Sequence, residues 1–379
     1  MTTTKNNEHK KLNVPNLRFH EFQGEWEKCA LENLSTEIGD GIHATPLYDD
    51  NGTYYFVNGN NISEYGITIT PTTQRVTEAE AYRNNANILC SKTILLSING
   101  TIGNVALYKG EPIMLGKSAC YINVSTKVNK HYIFHYLMMP KCQFYFTSEL
   151  TGTTIKNLSL KSVRRTKVSL PNLKEQNRIA QLFDAINERI VTQNKIIDKL
   201  KSLIKGISKQ LLMNNQNWRT VRIGELLRIG NGKDYKHLGI GKIPVYGTGG
   251  QMLLVNDYLY DGESVCIGRK GTIDTPMFLK GKFWTVDTSF YTYDFKDVLP
   301  KFCYYLFLQI NWKLYNEGTG VPSLSKSTIE NIKVKIPSIE QQHNICSVLD
   351  CYEHKTKSEE QILELYLSEK QYLLRQMFI

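Results

Sequence analysis

Two stretches of the chain carry apolar residues at alternating spacings of four and three. The first reads Ile179, Phe183, Ile186, Ile190, Gln193, Ile197, Leu200, Ile204, Ile207 and Leu211, with Gln193 its one polar position. The second reads Ile345, Leu349, Tyr352, Thr356, Glu359, Leu363, Tyr366, Lys370, Leu373 and Met377, and is interrupted by Thr356, Glu359 and Lys370. Such spacing is the seam of a coiled coil. A proline precedes each stretch, which suits a helix start, and none breaks either one. A lone Gly206 costs only about 1 kcal/mol. Helices of about forty residues span roughly 60 Å, longer than an ordinary globular helix, and predict two rods.

The rest of the chain follows another pattern. Short runs rich in β-branched and aromatic residues are punctuated by Gly and Asn: "TYYFVNGNNI", "TILLSING" and "ACYINV", then "IPVYGTGG", "ESVCIG" and "SFYTYDF". These predict strands in mixed, mostly antiparallel sheets. The aromatic runs "HYIFHYLMM" and "FCYYLFLQI" read as buried core helices.

The two halves repeat one another. "PNLKEQNRIAQLFDAINERI" from Pro171 and "PSIEQQHNICSVLDCYEHKT" from Pro337 share Pro, Gln, Ile and Asp in register, at an offset of 166 (337 − 171). The same offset joins Gly152-Thr153 to Gly318-Thr319, Leu158-Ser159 to Leu324-Ser325, Lys167-Val168 to Lys333-Val334, and Leu211-Leu212 to Met377-Phe378. "WEKCALENL" from Trp26 pairs with "WRTVRIGELL" from Trp218 at an offset of 192 (218 − 26), so the first copy holds 26 extra residues (192 − 166). "SINGTIGNVALY" loosely echoes "IGRKGTIDTPMF". Parallel rods would oblige the second unit to carry the chain back along their whole length, whereas antiparallel rods need no return. The predicted class is therefore α+β: two β-rich units separated by a pair of long antiparallel helices with approximate two-fold symmetry. The expected division is a flexible tail at 1–15, a first unit at 16–172, a helix at 173–214, a second unit at 215–338 and a helix at 339–379.

The net charge of +10 over 379 residues points to an acidic partner such as nucleic acid. No stretch resembles a membrane span or a signal peptide. Eight cysteines without a C-x-x-C pair predict reduced thiols in a cytoplasm. His343, Cys346, Cys351 and His354 lie close together, yet their spacing fits no standard zinc pattern. Against the earlier copy Cys346 falls on Ala180 and Cys351 on Ala185, which marks packing positions. No metal site is expected.

Catalytic signatures are missing. "IGNGKD" has Gly232-Lys233, but Leu227 stands where a phosphate loop needs its first Gly and Asp234 replaces Ser/Thr. "YGTGGQ" lacks the βαβ context of a dinucleotide site. Asp287 with Asp294 and Lys296 only faintly resembles a nuclease cluster, and no adenine-methyltransferase motif of the Asn-Pro-Pro-aromatic kind occurs.

Two diverged β-rich units, each opened by a Trp-containing segment and closed by a repeated "P-x-[LI]-x-[EQ]-Q-x-x-I" helix, resemble the specificity subunit of type I restriction-modification systems. The opening "VPNLRFHEFQGEWEKCALENL" is similar to the starts of many such subunits. The resemblance covers nearly the whole chain. It implies two target-recognition domains joined by spacer helices, and a bipartite double-stranded DNA target with one half per domain. It also implies a non-catalytic chain that binds no cofactor, with S-adenosylmethionine on two methyltransferase subunits, and ATP and Mg on partner motor-nuclease subunits. Half-sites on one face of B-DNA lie about 34 Å apart, a separation that stiff rods of roughly 60 Å can enforce.

Base edges and phosphates are contacted by Arg, Lys, Asn, Gln, Ser and Thr. The first unit offers Asn58, Asn60 and Asn61, then Asn99 and Thr101, then Thr151, Thr153, Thr154 and Lys156. The second offers Lys233, Lys236 and His237, then Tyr246, Thr248 and Gln251, then Arg269, Lys270 and Thr272, then Thr319, Ser323 and Lys326. Arg269-Lys270-Gly271 is the strongest candidate, because a basic pair beside Gly suits a phosphate or a guanine edge. Partner subunits would dock on outer helix faces bearing Glu188, Arg189, Asp198 and Lys199, and Glu353, Lys355, Lys357 and Glu360. Two other classes stay open at this point: a stand-alone nuclease or methyltransferase with its own recognition domains, and a coiled-coil scaffold that binds protein.

Overall fold

The structure, a computed structural model, describes residues 13–84, 86–152, 156–213 and 217–379. Thr153, Thr154 and the first twelve residues lie outside the described set. The chain divides into two compact units, one running to Lys195 and taking in Gln361–Ile379, the other Ile196–Glu360.

In the first unit the continuously apolar runs become central strands, as burial on both faces requires. Thr93–Ser97 and Ala119–Val124 are buried at every position. They sit in an antiparallel sheet ordered Ser35–Asp40, Ala119–Val124, Thr93–Ser97, Val105–Leu107. A three-stranded sheet pairs Tyr54–Val57 antiparallel with Arg75–Val76 and parallel with Ile113–Leu115. A two-stranded ribbon joins Glu27–Ala30 to Lys167–Leu170. The helix Lys130–Met138 buries Tyr132, Ile133, Phe134, Tyr136 and Leu137 in the main core.

The second unit repeats this plan with longer strands. Its six-stranded sheet is ordered Arg228–Asn231, Ser289–Tyr293, Tyr260–Gly268, Met277–Thr285, Ile240–Gly247, Gly250–Val255. One pairing is parallel, Val245 beside Trp284. The ribbon recurs as Arg219–Arg222 with Lys333–Ile336, and the aromatic helix as Pro300–Gln309. Trp26 meets Tyr132 edge-on at 6.3 Å, and Trp218 meets Phe302 at 6.2 Å. The structure is thus mixed α+β, sheet-rich on either side of a long helix.

The long helices run Leu173–Met213 and Ile339–Gln376. In the first unit Phe183, near the start of one, lies 5.4 Å from Phe378, just beyond the end of the other. In the second unit Lys201 pairs with Glu360 at 2.7 Å. Farther along, Leu212 shares a core with Ile345 and Leu349 near the start of the last helix. Within each unit the helices therefore run antiparallel. Ile179, Phe183, Ile186, Ile190 and Ile197 are buried, as are Ile345 and Leu349; Leu200, Ile204, Tyr352, Leu363, Tyr366 and Leu373 are half-buried. The polar seam positions Gln193, Thr356, Glu359 and Lys370 are buried too.

The repeated helix start has a specific structural task. Gln176 donates through Nε2 to the Pro171 carbonyl at 2.8 Å, and its Oε1 accepts from the Asn129 amide at 2.9 Å. Gln342 donates likewise to Pro337 at 3.1 Å and accepts from Leu299 at 2.8 Å. Each glutamine thus ties its long helix to the chain at the start of the aromatic helix, satisfying backbone groups that would otherwise be buried without partners. In the first copy the neighbouring Glu175, fully buried, receives Arg18 through two bonds of 2.7 and 2.8 Å. This paired geometry docks the opening "VPNLRFHEF" segment.

Candidate nucleic-acid interface

Sharp turns at the ends of the strands bring the polar candidates of each unit together. In the first unit, Asn58 to Asn61 form a tight turn. Asn61 Oδ1 accepts from the Asn58 amide at 3.0 Å, and Asn61 Nδ2 donates to the Thr68 carbonyl at 3.0 Å. Ser118 Oγ donates to Asn58 Oδ1 at 2.8 Å and accepts from the Gly59 amide at 2.8 Å. Thr101 donates to the Gly59 carbonyl at 2.9 Å. The side-chain oxygens of Asn58, Asn61 and Thr101 are thus occupied in holding the corner. Asn60 and Lys156 are exposed; Asn99 is half-buried and bridges to Asn157, whose carbonyl also accepts from Thr151.

The second unit gathers Lys236, Thr248 and Gln251 around an open cleft that Asp234, Tyr235 and Asp287 also line. Beside it the amides of Arg269 and Lys270 both donate to the Thr288 carbonyl, at 2.8 and 3.2 Å, and Lys270 bridges to Ser323. Lys233 is pinned through its backbone, its amide donating to Thr285 and its carbonyl accepting from Trp284 Nε1, each at 2.9 Å. His237 packs edge-on against Trp284. Among the described residues Lys233, Lys236, Arg269 and Lys270 are exposed and form no ion pair, so four cations remain free for an anionic partner. Tyr246 is turned toward Cys266, Leu279 and Phe283, and its carbonyl accepts from Val286. Thr272 and Thr319 are exposed, while Lys326 opens a short helix capped by Ser325.

The same hydrogen-bond frame builds both corners. Gly116 donates to Val57 at 2.9 Å as Val286 donates to Tyr246 at 3.0 Å. Ile98 donates to Ser118 at 3.0 Å as Arg269 donates to Thr288 at 2.8 Å. Leu158 donates to Ile98 as Leu324 donates to Arg269, each at 2.9 Å. Asn99 bridges to Asn157 as Lys270 bridges to Ser323. The following glycines, Gly100 and Gly271, adopt φ of +72° and +94°, a turn that a side chain would strain. Sequence reasoning found the Gly-Thr pair at 100–101 and 271–272 but passed over the facing turn, Gly116 to Ala119 and Val286 to Ser289. The "G-K-S" and "V-D-T" of those turns share no residue, and only the backbone frame aligns them.

Among the described residues no three His, Cys, Asp or Glu side chains converge as metal ligands. Cys346 packs in the core of the second unit, where burial pushes its thiol up to about 12. No described helix is long and apolar enough to cross a membrane.

The model of the type I restriction modification DNA specificity domain matches the chain twice, over residues 23–202 and 215–365. The chain belongs to this family. It is similar to the type I restriction enzyme MjaVIII specificity subunit of Methanocaldococcus jannaschii, 23% identical across 66% of this chain and 72% of that one. In fold it is similar to the type I restriction-modification S subunit of M. genitalium, with a TM-score of 0.64 at 18% identity over 97% of this chain and 99% of that one. A structure of a type I R-M system in assembly also matches, with a TM-score of 0.55 at 14% identity over 92% and 96% of the two chains. Specificity subunits recognise DNA targets and are not catalytic, which closes the stand-alone enzyme and scaffold readings.

Proposed function

We propose that each unit of this specificity subunit reads one half of a bipartite, asymmetric double-stranded DNA target through the corner described above. One observation carries this: a single backbone frame is built twice and presents unlike polar residues. Matching frames offer matching approaches to a groove, and unlike side chains select unlike base steps. Lys236, Arg269 and Lys270 around the second corner, together with a net charge of +10, supply the phosphate attraction. Asn60, Asn99, Lys156, Thr248, Gln251 and Thr272 are the remaining candidates for base or sugar contact.

The chain acts in the cytoplasm with two methyltransferase subunits, which carry S-adenosylmethionine, and with motor-nuclease subunits, which carry ATP and Mg. It binds none of these cofactors itself. The methylated motif in the genome of a host carrying the complex tests the reading and should have two unlike halves around unspecified base pairs; a single continuous or palindromic motif overturns it. If Arg269 is bidentate to guanine, Arg269→Ala should cost about 1–3 kcal/mol and relax selectivity in that half-site alone. Uniform weakening across all sequences, with a shallower salt slope, would make it a phosphate contact.

A further inference from the structure

The facing turn holds a charge reversal. Ala119 donates to the Gly116 carbonyl and Ser289 to the Val286 carbonyl, each at 2.9 Å, so 116–119 and 286–289 are the same four-residue turn in the two corners. The residue after its first position is Lys117 in one and Asp287 in the other. Both are exposed, and neither forms a hydrogen bond or ion pair among the described residues. With backbone and register matched, the two side chains leave their corners in the same direction.

Two exposed carboxylates, Asp234 and Asp287, line the cleft with Lys236 in a corner that meets phosphates, which repel them, and of the two only Asp287 lies on the turn that both corners share. Asp287 is no mere turn-former, since the same turn closes around Lys117 without it. Of the groups the major groove displays, the exocyclic amines, cytosine N4 and adenine N6, are the ones a carboxylate accepts from. An ammonium at the same place donates instead, and its best partner is the O6 and N7 edge of guanine.

We propose that this turn position reads a base in each half-site, Lys117 demanding guanine in the first half and Asp287 demanding an amino-bearing base, cytosine or adenine, in the second. The inference rests on the two-corner reading above and adds to it the identity of one contact per half.

Selection of bound sequences from a randomised bipartite DNA library, with the full chain, tests it. Wild type should enrich one specified base pair at a position of the second half, and that is the position the Asp287 variants should alter. Asp287→Ala should lower the preference at that position by about tenfold or more and leave the first half unchanged. Asp287→Lys should turn the preference there to guanine, and Lys117→Asp should turn a guanine of the first half to cytosine or adenine. Unaltered thermal unfolding would accompany these results, since both sites are exposed. If the variants keep the wild-type preference at every position, or weaken all sequences alike, the inference fails while a bipartite wild-type motif leaves the two-corner reading standing. If wild type enriches no second half at all, that reading fails as well.

Discussion

Asp184 and Asp350 occupy the same place in the two long helices, and each carboxylate meets two side chains one turn apart on the aromatic helix of its unit. Their partners have drifted. His135 Nε2 donates to Asp184 at 2.8 Å and His131 Nδ1 lies 2.7 Å from it. At Asp350 the partners are Tyr305, donating at 2.6 Å, and Lys301 at 3.2 Å. Burial pushes the His135 imidazole below its ordinary value against the pull of Asp184. Burial alone would raise Asp184, but the bonds from both histidines outweigh it and hold the carboxyl well below the usual range. In acid the unfolded chain protonates both groups before the folded one does. The first unit should therefore lose stability as pH falls below about 6.5, and more steeply below about 4. Hydrogen exchange measured between pH 7 and 5 checks this, and His135→Gln, which can still donate but does not titrate, should flatten the decline. Tyr305 behaves oppositely: burial, then its bond to Asp350, raises the phenol. The second unit should weaken above about pH 10, where the unfolded tyrosine ionises, and Tyr305→Phe should remove that loss.

At the scale of elements, the interruptions of the seam carry structure. Lys370 is 1% exposed and reaches Glu64, in the turn between the short strands Ile62–Ser63 and Gly66–Ile67, at 2.5 Å. Glu64→Gln would leave a buried cation unpaired and should cost up to about 3 kcal/mol, whereas Lys370→Met, which fills the seam and frees a carboxylate still in reach of water, should be close to neutral. Chemical denaturation of the two variants distinguishes them; equal losses would mean that the pair itself is not what holds Lys370. The apolar seam was legible in the sequence because its periodicity is local. The reason for Lys370 was not, because its partner stands 306 residues away. The strands were legible for the same local reason, down to "TILLSING" and "SFYTYDF". The corner residues were harder to rank, since Asn and Thr serve tight turns and base edges with the same atoms. The side-chain oxygens of Asn58, Asn61 and Thr101 are spent on the turn, and only the bonds they make in the folded chain separate them from Asn60 or Arg269. Gln176 and Gln342 stood out in the repeat, but their bonds to the aromatic helices could not be read from a linear text.

At the scale of the whole molecule, each unit is completed by the far end of a long helix. Leu374, Met377 and Phe378 enter the main core of the first unit, with Phe378 5.3 Å from Tyr132 and 5.6 Å from Tyr136. Leu212, the counterpart of Phe378, enters the core of the second. Phe378→Ala should cost the first unit about 3–5 kcal/mol and Leu212→Ala should cost the second about 2–5 kcal/mol. Hydrogen exchange resolved by segment should show each loss confined to its own unit; a loss spread evenly over both would contradict the division into two separately closed cores.

That closure inverts the order of birth. Domains ordinarily fold as they leave the ribosome, the N-terminal one first. Here Ile196–Glu360 is one uninterrupted piece of chain, whereas the earlier-made unit lacks Gln361–Ile379 until these have been translated. The half synthesised first should therefore be the half that matures last, its aromatic core short of Phe378 until 361–379 are made.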